Sequence, residues 1–69
     1  MDPKEIFELI IKADERLKYA TPDKADARVA QARNLLTQAK AEAETIGNAQ
    51  LVEQAERRLA DIETTFGGS

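Results

Sequence analysis

The 69-residue sequence contains no cysteine, histidine or tryptophan, and carries ten basic against thirteen acidic residues for a formal net charge of −3. Disulfides, thiolate metal sites and the commonest catalytic bases and nucleophiles are therefore unavailable to it. Charges of both signs are interspersed, which gives no electrostatic case for nucleic acid or an anionic membrane, and the length suits one domain near the lower limit for a chain held by its core alone.

Asp2, Pro3, Lys4 and Glu5 make a strong helix start. Asp2 caps free backbone N–H groups, Pro3 fits the first helical position, and Glu5 completes a capping box. Met1 and Ile6 stand where a hydrophobic staple would place them. Ile6, Ile10, Ala13, Leu17 and Ala20, with Leu9 beside them, then recur at steps of four and three and form one apolar stripe. Phe7 and Ile11 lie off that stripe, about 100° to 140° round from Ile6. They are the candidate interface residues. The longest apolar run here, Leu9 to Ile11, is far too short to span a bilayer.

Thr21 is pushed out of the α region by Pro22, so it ends the first helix, and it also suits the N-cap of the second. The stretch from Pro22 to Ile46 predicts a helix of roughly 37 Å. Ala25, Val29, Ala32, Leu36, Ala39, Ala43 and Ile46 form its stripe, with the spacing of coiled-coil-like contact. Gly47 is a natural C′ residue, and Asn48 follows at once as a cap for a third helix. Leu51, Val52, Ala55, Leu59, Ile62 and Phe66 make the third stripe. Gly67, Gly68 and Ser69 are expected to be a flexible tail or a cloning remnant.

Helices over about 3–19, 22–46 and 49–66, joined by short connections, predict a single all-α domain over residues 1–66. Its architecture is a three-helix antiparallel up-down-up bundle with a long central helix. The N-terminus lacks the basic and apolar regions of a signal peptide, so a cytoplasmic location is expected.

No constellation for chemistry emerges. Glu42 and Glu44 cannot face each other on one helix, nor can Asp61 and Glu63. Ser69, the sole serine, lies in the tail. Arg57 and Arg58 diverge by about 100°, and Glu53 and Asp61 sit within a turn of Arg57, so solvated faces explain the arginines. No catalytic, cofactor-binding or metal-binding residue is assigned.

Ala32, Leu35, Leu36 and Ala39, then Ala43 to Asn48, then Leu51, Val52, Ala55 and Leu59 resemble the junction between consecutive tetratricopeptide repeats. The match covers residues 32–59, about two-fifths of the chain. It lacks the large aromatics and closing proline of that signature, and its central helix is longer. The resemblance implies a helical interaction module and names no ligand.

Two functions are consistent with the sequence. One is a protein–protein interaction or self-association module, whose partner is another protein or a second copy, with Phe7 and Ile11 as its contact. The other is an inert scaffold bundle, in which both residues widen an arc buried between the neighbouring helices.

Overall fold

The computed structural model describes residues 1–21, 23 and 25–65. Three helices follow in order: α1 (Pro3–Lys18), α2 (Ala25–Thr45) and α3 (Ala49–Thr65). The start of α1 is built as its sequence dictates. The Glu5 N–H donates to Asp2 Oδ1 at 2.8 Å, and the Asp2 N–H donates to Glu5 Oε1 at 3.5 Å, completing the capping box. The expected staple is one-sided: Ile6 is fully buried, whereas Met1 remains nearly half exposed.

Between α1 and α2, Asp23 sits in a turn and the described helix begins at Ala25. The predicted helical start at Pro22 lies outside the described residues. At 21 residues α2 is still the longest helix, spanning about 32 Å rather than 37 Å.

The junction of α2 and α3 rests on two residues. Gly47 adopts φ +70°. Its N–H donates to the Glu44 carbonyl at 3.1 Å, and the Asn48 N–H donates to the Ala43 carbonyl at 2.9 Å. This pair of bonds is a Schellman closure, which uses carbonyls that the helix end leaves free. Asn48 then caps α3, its Oδ1 accepting from the Leu51 N–H at 3.1 Å. One residue thus ends one helix and starts the next, and the chain reverses. The extents of 37 × 19 × 13 Å agree with a folded bundle, since a single helix over 22–66 would need about 67 Å.

Neighbouring helices run antiparallel. The Met1 ammonium lies 3.7 Å from Glu42 near the end of α2, and Arg33 in the first half of α2 pairs with Glu63 near the end of α3 at 3.0 Å. Both α1 and α3 pack closely on α2, while their contact with each other is slight.

The core comprises Ile6, Ile10, Ala13, Val29, Ala32, Leu36, Ala39, Ala43, Leu51, Ala55 and Ile62, with Leu9, Leu17, Leu35, Val52 and Leu59 partly buried against it. Five of the eleven buried residues are alanine. Small side chains let the helix axes approach, and they bury little area per residue. Among the described residues no polar side chain is buried.

Ile46 departs from the expectation. Its place on the α2 stripe predicted burial, yet it is 40% exposed. It follows the last helical residue, Thr45, where the turn at Gly47 has already carried the chain off the core-facing direction. Phe66, predicted on the α3 stripe, lies outside the described residues, as does the 67–69 tail.

Candidate interaction surface on the outer side of α1

Phe7 and Ile11 are on the surface of the folded chain, 44% and 37% exposed. They stand one turn apart on α1, about 6 Å along its axis and about 40° round it. The reading in which both neighbours embrace α1 requires α3 to close over them. It does not, because α3 leans on α2 and barely meets α1.

The boundary of the patch is set by Asp14. It lies two turns after Phe7, about 20° back round the helix, and its carboxylate accepts from Arg58 Nε of α3 at 3.0 and 3.1 Å. Contact with α3 therefore runs along the Asp14 edge. Ile11 and the side chains beyond it face away from α3.

On that free side, Lys4, Glu8, Lys12 and Glu15 join Phe7 and Ile11 in lining one shallow depression. Two lysines and two glutamates leave it without net charge. None of these four enters an ion pair among the described residues. The surface therefore has an apolar centre and a charged rim.

Other exposed apolar side chains were not singled out by the sequence. Met1 and Ile46 border a second depression at the end of the bundle near Gly47, and Tyr19 is 61% exposed beyond α1, with Lys18 Nζ 5.8 Å from its ring centroid. The signal for Met1 and Ile46 was their position beyond helix ends, where a stripe no longer points at the core. Among the described residues, no group of three or more Asp and Glu is placed to hold a metal ion. No described helix is long and apolar enough to cross a membrane. Arg57 pairs with Glu53 at 2.9 Å within its own helix, in keeping with a solvated face, whereas Arg58 departs from that expectation, partly buried and paired with Asp14 of α1.

No family model, characterised protein or solved structure matches the chain.

Proposed function

We propose that this protein is a small helical interaction module without catalytic activity, and that the outer side of α1 is its contact surface. The observation that carries this reading is the exposure of Phe7 together with Ile11, two large apolar side chains adjacent on one helix face. Scattered apolar residues are ordinary on protein surfaces, but contiguous ones rimmed by charge favour a partner. Covering what remains exposed of Phe7 and Ile11, 44% and 37%, is worth roughly 1 kcal/mol each, a gain that the fold of the single chain leaves unused. The resemblance of residues 32–59 to a repeat junction supports the same class, and a cytoplasmic setting goes with it.

A photoreactive phenylalanine analogue at position 7 tests the reading. On irradiation in cells it is expected to give a discrete adduct that weakens with Ile11→Ser. The same probe at Thr37, exposed on α2, is expected to give none. Equal labelling at both positions, or labelling at neither, returns the protein to the inert-scaffold reading.

A further inference from the structure

We infer that the occupant of this surface is a second copy of the chain, with the two α1 helices antiparallel across a two-fold axis near residue 9. This rests on the contact-surface reading above and adds the partner and its orientation.

The order of charges along α1 carries it. Lys4, Glu8, Lys12 and Glu15 lie on one side of the Phe7 and Ile11 line, the side away from Arg58 of α3. A two-fold axis perpendicular to the helix brings this side of one copy against the same side of the other, with heights reversed. Counted from residue 9 at about 1.5 Å per residue, Lys4 lies about 7.5 Å to one end and Glu15 about 9 Å to the other. Reversal puts Lys4 of each copy beside Glu15 of its mate. Lys12, about 4.5 Å on one side, meets Glu8, about 1.5 Å on the other. Phe7 of each copy falls opposite Ile11 of its mate. Every lysine in the depression thus gains a glutamate, and both apolar residues are covered. A parallel pair, related by an axis along the helices, would carry these charged sides to opposite flanks of the contact, where no lysine of the depression gains a glutamate, so it is disfavoured.

Size fixes the class of dimer. Two helices touching over about four turns bury on the order of 800 Å² in total, below the standard interface of about 1,200–2,000 Å². Association is therefore weak and reversible, as befits so small a contact. The depression itself is neutral, so the contact brings no excess charge of one sign together, and the long-range repulsion from the net charge of −3 is screened by salt.

Sedimentation equilibrium of the whole chain between about 10 µM and 1 mM provides the test. The mean mass is expected to rise from 7.6 kDa towards twice that value. Lys4→Glu and Glu15→Lys each place like charges together at two symmetry-related sites, and each is expected to weaken the dimer about tenfold. Both changes suit the helix dipole, so α1 is retained. The double variant restores the pairs with reversed sign and is expected to associate like the parent, as is an equimolar mixture of the two single variants. A carbodiimide should join Lys4 to Glu15 between copies, a link impossible within one chain, where they stand about 16 Å apart along the helix.

A parent that stays monomeric at about 1 mM overturns the second copy. Single variants that associate as the parent does overturn the antiparallel order. An adduct from position 7 whose mass is not twice that of the chain overturns the second copy while leaving the contact surface standing. Absence of any such adduct removes both.

Discussion

Arg58 of α3 donates through Nε to both carboxylate oxygens of Asp14 on α1, at 3.0 and 3.1 Å, across 44 residues of sequence. Arg58 Nη1 also reaches the Gln54 carbonyl at 3.4 Å, which steadies the guanidinium on its own helix. Both α1 and α3 are anchored on α2 and have little direct contact, so this ion pair is a main tie between them. It also stands at the edge of the Phe7 and Ile11 surface, where contact with α3 gives way to solvent.

The strength of that tie is measurable. The two side chains are 28% and 42% exposed, so solvent screens them and the coupling is expected at about 0.5–1 kcal/mol. A double-mutant cycle with Arg58→Ala and Asp14→Ala, followed by chemical denaturation, reads it directly. The coupling should fall with added salt. A coupling of zero at low salt would show that α3 keeps its place by packing on α2 alone.

Leu36 is fully buried near the middle of α2, where α1 and α3 both lean on the helix. With five alanines in the core, few other large side chains share its load. Leu36→Ala is expected to cost about 2–5 kcal/mol, comparable with the whole stability of so small a domain. Circular dichroism on heating should show a broad transition at much lower temperature, or none. A midpoint moved by a degree or two would place Leu36 away from the core.

Gly47 isolates a backbone effect. A Cβ added there meets nothing within 4 Å, so the penalty for a side chain comes from φ +70° alone. Gly47→Ala should destabilise by about 1 kcal/mol, while Gly47→Asn should cost less because asparagine tolerates the left-handed region. Equal losses for the two variants in urea denaturation would argue against the Schellman closure.

The capping box offers a fourth check. Asp2→Ala removes the acceptor for the Glu5 N–H and should cost about 1 kcal/mol. Asp2→Asn should recover most of that loss, since its side-chain oxygen accepts the same bond. Amide exchange should quicken in the first turn of α1 and leave the centre of α3 unchanged relative to global stability.

Much of this protein is local in origin, and the sequence determined that part by itself. Asp2, Pro3 and Glu5 begin a helix through contacts within four residues. Gly47 supplies the one conformation a reversal needs, and Asn48 has its own cap within reach. The spacing of Ile6 to Ala13, Val29 to Ala43 and Leu51 to Ile62 decided which side of each helix turns inward, because 3.6 residues per turn is a property of one helix. What the period cannot decide is the angle that three helices make about one another. That angle depends on side-chain volumes across all three, and the alanines of α2 let both neighbours settle on it without closing on each other. Tertiary packing therefore decided that Arg58 meets Asp14, that Leu35 is drawn against the core beside Leu36, and that Ile46 is carried outward by the turn. The exposure of Phe7 and Ile11 is decided in the same way: their place off the stripe is written in α1, but only the distance kept by α3 leaves them facing water.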